Sequence, residues 1–129
     1  MGARPDTAPM DRALLKPSDT KDAAMAIAEA AASKKAEDIK VLDVREITSL
    51  ADYFIICSGN TSRQVKAIVD EIGFRTSSFR VFPHHIEGVP ECRWVLMDYG
   101  DIVVHVFEEE TREYYDLDGL WGDAPRVGV

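Results

Sequence analysis

Few residues in this sequence have the types and the spacing that catalysis or metal binding requires. The histidines and cysteines are His84, His85, His105, Cys57 and Cys92. They form neither a Cys-x-x-Cys nor a His-x-x-x-His pair, either of which would place two zinc ligands on one element. His84 and His85 would point to opposite faces of a strand, because successive side chains alternate. We interpret the histidines as a solvated loop pair and one packed ring, with no metal site.

Two other segments have residue types that suit phosphate or metal binding. The loop Ser58–Asn60 precedes a predicted helix, and helix N-terminal amides attract anions. It has one glycine and lacks a P-loop lysine, which favours a strand-to-helix turn closed by a helix cap. Asp98 and Asp101 flank a predicted turn, where acids that cap the turn are commoner than metal-binding pairs. We predict no catalytic residue, no metal and no cofactor. A nucleotide-binding enzyme, with phosphate at Ser58–Asn60 and magnesium at Asp98 or Asp101, stays as the alternative.

Aromatic side chains are concentrated in the C-terminal half, as Trp94, Tyr99, Tyr114, Tyr115 and Trp121. Adjacent helical residues differ by about 100° in direction, so Tyr114 and Tyr115 are hard to bury against one surface. Tryptophan and tyrosine are typical of the residues that dominate protein interfaces. The pattern therefore favours a binding surface, although core packing would explain each ring taken singly.

Charge and composition restrict the class of partner. The 129 residues are 46% hydrophobic and 9% aromatic, which suits one folded domain with a real core. The net charge is −8, and it is −9 after residue 18, where 12 basic side chains face 21 acidic ones. Without a Lys/Arg cluster, direct nucleic-acid readout is not expected, whereas a basic protein partner is. No apolar run approaches the roughly 20 residues that span a bilayer, so we expect a cytoplasmic protein without membrane contact.

The chain before Pro90 is predicted to contain two helices and two strands. Ser18, Asp19 and Thr20 offer caps for a helix with an alanine-rich face, and β-type segments follow at 39–44 and 52–58. The continuous apolar run of the second segment indicates a strand buried on both faces. Thr61 and Gln64 form a capping box for the second helix, which Gly73 is expected to end. A strand at 79–82 is a weaker expectation, and Cys57 is predicted to be a buried free thiol.

The remaining residues are predicted to form a hairpin and a short helix. With Tyr99 and Gly100 as the turn, Trp94 would pair with His105, whereas a bulged three-residue loop would pair it with Val104. Tyr114, Leu117 and Trp121 would share one face of the final helix. We expect a flexible N-terminal tail at 1–18, one domain at 19–122 and a short C-terminal tail at 123–129. The element order predicts an α/β fold with a mixed β-sheet flanked by helices.

These segments resemble the ribosomal silencing factor family, also called RsfS or Iojap-like. The resemblance spans about residues 19–121 and is carried by four stretches in a fixed order. They are Ala51–Gly59 followed by Ser62–Val65, then His85–Gly88 through Trp94, then the hairpin Trp94–Phe107, and finally Arg112–Trp121.

The resemblance implies a nucleotidyltransferase-like fold without transferase activity or cofactor. It also implies a translational repressor that binds the large ribosomal subunit through its protein fourteen and blocks joining of the small subunit. Homodimers are associated with the family. A ribosome-assembly factor that binds the same protein is a further alternative. On this basis the partner-binding residues are expected to be Trp94, Asp98, Tyr99, His105, Tyr114, Tyr115 and Trp121, with His105 holding Trp94 in place.

Overall fold

The computed structural model describes residues 19–122 and 124–127, so the predicted N-terminal tail lies outside the described residues. Four helices and five strands are present in this part of the chain. In chain order they are α1 (Thr20–Ser33), β1 (Glu37–Asp43), β2 (Tyr53–Gly59), α2 (Ser62–Ser77), β3 (His85–Glu87), β4 (Trp94–Asp98), β5 (Ile102–Glu108), α3 (Glu109–Tyr115) and α4 (Leu117–Leu120).

The strands form one mixed sheet in the order β1-β2-β5-β4-β3. β2 and β5 run parallel, and every other neighbouring pair is antiparallel. Parallel neighbours need a crossover connection, and here α2, β3 and β4 lie between them in the chain. The predicted α/β class with a mixed sheet flanked by helices is therefore confirmed. β2 is buried at every position, as its continuous apolar run predicts.

Helices α1 and α2 begin at the predicted caps. The Asp19 side chain accepts a hydrogen bond from the Asp22 amide at 2.8 Å, and the Thr61 hydroxyl accepts one from the Gln64 amide at 3.1 Å. Gln64 reaches back to the amide of Asn60 at 2.7 Å, one residue before the cap. The residues at helical spacing are buried as predicted, including Ala24, Ile27, Ala28 and Ala31 in α1 and Val65, Ile68, Val69 and Ile72 in α2.

The two faces of the sheet are covered unequally. α1 and α2 pack together on one face, over side chains such as Ile55, Val95 and Val104. On the opposite face a smaller cluster contains Phe54 and Phe107, and among the described residues it is covered mainly by the C-terminal segment, through Leu117, Trp121 and Ala124. Farther along that face the strand side chains Leu96 and Val103 are half-buried rather than buried. This second face is therefore partly uncovered, and we call it the open face.

The hairpin register differs from both predicted registers. Trp94 pairs with Phe107, Leu96 with His105 and Asp98 with Val103. The turn is centred on Gly100 and Asp101, because Gly100 takes a φ of +89° that Tyr99 would adopt only at a cost. Tyr99 therefore remains extended and pairs its amide with the Ile102 carbonyl at 2.8 Å.

Two predictions for the segment after α2 are wrong. α2 does not end at Gly73 but continues to Ser77, because the buried side chains of Ile72 and Thr76 carry its packed face one turn farther. Residues 79–82 form no strand. The short edge strand is instead β3, which begins after Pro83 and pairs with β4.

The predicted C-terminal helix is two short helices. Asp116 has a left-handed conformation (φ +50°) that ends α3 and begins α4, so Tyr114 does not share a face with Leu117 and Trp121. Residues 124–127 fall in the stretch assigned to a short tail, and they run antiparallel beside β1. The Asp43 amide donates to the Pro125 carbonyl, and the Val127 amide donates to the Val41 carbonyl, each at 2.8 Å.

Cys57 and Cys92 are both buried free thiols, as predicted for Cys57. Burial raises the pKa of the Cys57 thiol to about 12, which keeps the thiol protonated. Within residues 19–122 and 124–127, no helix has the length and hydropathy needed to cross a membrane.

Candidate protein-interaction surface

A buried arginine fixes the segment that carries several of the predicted site residues. Arg112, on α3, is only 6% exposed. Its guanidinium donates to the carboxylate of Asp118 at 2.8 and 2.9 Å, to the Ser58 hydroxyl at 2.7 Å and to the Asp38 carbonyl at 2.9 Å. Arg112 therefore ties α3 to α4 and to the ends of β1 and β2.

The charges around Arg112 stabilise one another. Burial alone would lower the pKa of the Arg112 guanidinium, but hydrogen bonding to Asp118 and the charges of Asp118 and Asp38 raise it. The hydrogen bonds from Arg112 lower the pKa of Asp118 to about 2, against an opposing effect of burial, and Lys40 contributes a further contact at 3.1 Å. Both groups are thus charged at neutral pH.

Trp94 is held in place by a buried neutral histidine. The Trp94 indole Nε1–H donates to Nδ1 of His105 at 3.1 Å, across the diagonal of the β4–β5 pair. His105 is 6% exposed, and burial lowers its pKa to about 4. At neutral pH its ring is therefore uncharged, with its proton on Nε2 and a free lone pair on Nδ1 for the indole. The predicted contact between His105 and Trp94 is confirmed, although the predicted pairing register is not.

Seven rings are in contact along the open face of the sheet. Trp94 stacks on Phe107 with centroids 4.9 Å apart and contacts Tyr115 at 5.0 Å. Tyr115 meets Tyr114 edge-on, also at 5.0 Å. At the other end, Phe54 joins His105 at 5.4 Å to Trp121 at 4.8 Å. We call this set the aromatic cluster, and its members are Phe54, Trp94, His105, Phe107, Tyr114, Tyr115 and Trp121.

The aromatic cluster is exposed at one end. Tyr114 is 82% exposed and Tyr115 is 55% exposed, whereas Trp94 and Trp121 are half-buried. The prediction that the two tyrosines cannot both be buried is confirmed. Large exposed rings beside a half-buried apolar sheet face are typical of protein-binding surfaces.

Two of the predicted site residues lie apart from the cluster. Asp98 is at the far end of β4, where its carboxylate accepts the Gly100 amide at 2.8 Å, as expected of a turn cap. Tyr99 is buried on the opposite face, and its hydroxyl lies 2.9 Å from Thr76 Oγ1. Its inward direction follows from the register, which leaves Tyr99 in the extended part of the hairpin.

The loop that could have bound phosphate is occupied by side chains of the same chain. The Asn60 and Gln64 amides are taken by Gln64 and Thr61, and the Ser58 hydroxyl accepts from Arg112. A Cβ at Gly59 would lie 3.1 Å from the Val65 nitrogen, so the turn packs tightly against α2. Across residues 19–122 and 124–127, no group of three or more His, Cys, Asp or Glu side chains is arranged to hold a metal ion.

The model of a family described as "Ribosomal silencing factor during starvation" matches residues 17–129. The chain belongs to this family. It is 50% identical over 98 residues to "Ribosomal silencing factor RsfS" of Bacillus subtilis, covering 76% of this chain and 83% of that protein. It is 35% identical over 91 residues to "Mitochondrial assembly of ribosomal large subunit protein 1" of Mus musculus, covering 68% of this chain and 40% of that protein.

A crystal structure of a Chromobacterium violaceum protein has the same fold. It superposes with a TM-score of 0.79 at 35% identity and covers 86% of this chain and 93% of the other.

Several important residues of this silencing-factor chain were not predicted from the sequence. Arg112 lies in an acidic stretch of the sequence. The feature that could have indicated its role is Asp118, six residues later, whose carboxylate it binds. Phe54 looked like an ordinary core residue of β2, yet it connects His105 to Trp121. Leu96 and Val103 became candidates only when the sheet topology placed them on the open face.

Replacing Arg112 should destabilise the C-terminal helices. Arg112→Met leaves the half-buried carboxylate of Asp118 with Lys40 alone and removes the donor to Ser58 and Asp38. The free energy of unfolding should therefore fall by about 3 kcal/mol in urea titrations at pH 7. Arg45→Met is the matched control, because Arg45 binds Asp43 at 2.7 Å on the surface, where solvent screens the ion pair and its loss should matter much less. Equal losses in the two variants would contradict the assigned role of Arg112.

Acidification should destabilise the protein through His105. Because burial lowers the pKa of His105 in the folded state to about 4, protons bind the unfolded chain more strongly as the pH falls below about 6.5. The free energy of unfolding should therefore drop by about 2 kcal/mol between pH 7 and pH 5 from this group alone. His105→Gln should lack this component, whereas the exposed His85→Gln should retain it. Identical pH dependence in wild type and His105→Gln would rule the explanation out.

Proposed function

We propose that this chain represses translation without catalysis, by binding the large ribosomal subunit through its protein fourteen and blocking the small subunit sterically. The observation that carries the proposal is the aromatic cluster, which lies on a half-covered sheet face in a member of the silencing-factor family. Binding would bury the exposed rings of Tyr114 and Tyr115 together with Leu96 and Val103.

Charge supports a basic partner for this surface. The chain carries a net charge of −8, and ribosomal surfaces present basic proteins to their partners. Complementary charge accelerates encounter and disfavours wrong orientations, while the buried rings supply most of the binding energy. A steric block requires only a rigid body that stays bound, which agrees with a site made of packing and hydrogen bonds rather than reactive groups.

A second candidate is a ribosome-assembly factor. It is favoured by the name of the mouse relative, which assigns that protein to assembly of the mitochondrial large subunit. Such a factor would bind the same surface of the large subunit and leave subunit joining unaffected.

Co-sedimentation tests the proposal and separates the two candidates. The full chain should pellet with purified large subunits, bind isolated protein fourteen of that subunit, and reduce the amount of joined ribosomes when small subunits are added. Failure to pellet with large subunits would contradict both candidates. Pelleting with unhindered joining would instead favour the assembly factor.

A positive charge introduced on the open face should weaken binding to the large subunit. Leu96→Arg places a cation beside the aromatic cluster and should weaken large-subunit binding by roughly tenfold, because like charges across an interface are unfavourable. Phe74→Arg is the matched control, since Phe74 is 71% exposed on α2, which covers the other face. Circular dichroism would verify that both variants fold, and equal binding by the two variants would exclude the open face as the contact.

A further inference from the structure

A groove of about 620 Å³ lies between the β3–β4 loop and α3, at one end of the aromatic cluster. One wall is formed by Trp94, Tyr114 and Tyr115, and carboxylates are supplied by Glu91, Glu108 and Glu110. The groove is distinct from the cavity around Arg112, which opens on the other side of α3 and is lined by Glu113.

The aromatic wall consists of three rings in contact with one another, two of which are exposed. The Trp94 indole N–H is already donated to His105 and the ring stacks on Phe107, so Trp94 contributes aromatic surface rather than a donor to the groove. Tyr114 and Tyr115 are exposed and contact each other at 5.0 Å, and neither ring is explained by packing in the core. The faces of such rings attract cations within about 6 Å of the ring centre.

The carboxylates of the groove have no cationic partner in the described part of the chain. Glu91, Glu108 and Glu110 make no ion pair there, whereas Asp43, Asp70, Glu71 and Asp118 each have one. Arg93 is the one basic side chain among the lining residues, so three carboxylates face one guanidinium. The groove thus combines an excess of negative charge with π surfaces.

The backbone of both walls is held in place by contacts within the chain. In the β3–β4 loop the Cys92 amide donates to the Gly88 carbonyl at 2.9 Å, and the Cys92 thiol donates to the Val89 carbonyl at 2.8 Å. Gly88 has a φ of +89°, and a Cβ there would collide with the Trp94 carbonyl. α3 is fixed by Arg112. A preformed groove loses little conformational entropy on binding.

We propose that this groove receives an arginine side chain of the basic protein partner. A guanidinium is planar and weakly hydrated, so it stacks on aromatic faces while donating to carboxylates, which a lysine ammonium does less well. The identity of the partner rests on the proposed function. The chemistry of the groove, however, is testable on the isolated chain.

The first test is a titration of the ¹⁵N-labelled full chain with the peptide acetyl-Gly-Arg-Gly-amide, followed by NMR. Chemical-shift changes should centre on the Trp94 indole and on the Gly88 and Thr111 amides. The citrulline peptide has nearly the same shape without the charge and should leave these signals in place. The proposal would be overturned if no chemical shifts changed at the groove, or if the citrulline peptide changed them equally.

Variants distinguish the groove from general electrostatic attraction. Glu110→Gln and Tyr114→Ala should each lower the affinity for the arginine peptide by about threefold, as expected for the loss of one exposed charge or one cation–π contact. Glu113→Gln is the matched control, because it removes the same charge from the same helix outside the groove. If Glu113→Gln weakens binding as much as Glu110→Gln, the groove is not the site.

Large subunits provide the second test. The double variant Glu110→Gln/Tyr114→Ala should bind large subunits with about tenfold lower affinity than wild type, because two threefold losses multiply to about that value. If wild type pellets and the double variant pellets equally well, the groove proposal fails while the proposed function stands. If wild type itself does not pellet, the proposed function fails, and the peptide titration decides the groove independently.

Discussion

The buried guanidinium of Arg112 is the interaction on which the geometry of the C-terminal segment depends. Helices of seven and four residues, such as α3 and α4, are too short to be stable alone. Arg112 connects them to each other through Asp118 and to the sheet through Ser58 and Asp38. Because α3 carries Tyr114 and Tyr115 and α4 leads to Trp121, the same guanidinium determines where three rings of the aromatic cluster lie.

The unequal cover of the sheet explains why those rings are available for binding. In the described part of the chain, two long helices cover one face, whereas two short helices and residues 124–127 cover only part of the other. The aromatic cluster begins under this partial cover, at Phe54 and Trp121, and continues into the open at Tyr114 and Tyr115. Its inner rings therefore receive core-like support while its outer rings remain accessible, an arrangement that suits a rigid binding surface.

Local patterns predicted the regular elements well because their physical causes are local. The capping box at Thr61 and the apolar spacing from Val65 to Ile72 defined α2, and a continuous apolar run defined β2. Two of the failures arose where a single backbone angle decides the outcome. The hairpin register depended on which residue adopts positive φ, and Gly100 took that position. The break between α3 and α4 depended on the left-handed conformation of Asp116, which few sequence patterns reveal.

The candidate site was harder to predict than the fold because its contacts are long-range. Trp94, Tyr114, Tyr115 and Trp121 are interface-type residues by their chemistry, and the structure brings these four into one cluster with His105. Tyr99 had the same residue type, but the register directs it into the core. Arg112 was missed because its partners Asp38 and Ser58 are 74 and 54 positions away in the chain.

Buried polar side chains have partners inside the molecule, whereas exposed rings and carboxylates at the aromatic cluster remain available to another protein. Each buried polar side chain in the described part of the chain has an internal partner, since Ser58 binds Arg112, Thr76 binds Tyr99 and His105 binds Trp94. At the groove beside the aromatic cluster, exposed rings and carboxylates would be complemented by a basic, apolar protein surface. Their arrangement along the open face therefore gives this side of the molecule the properties of a protein-interaction surface.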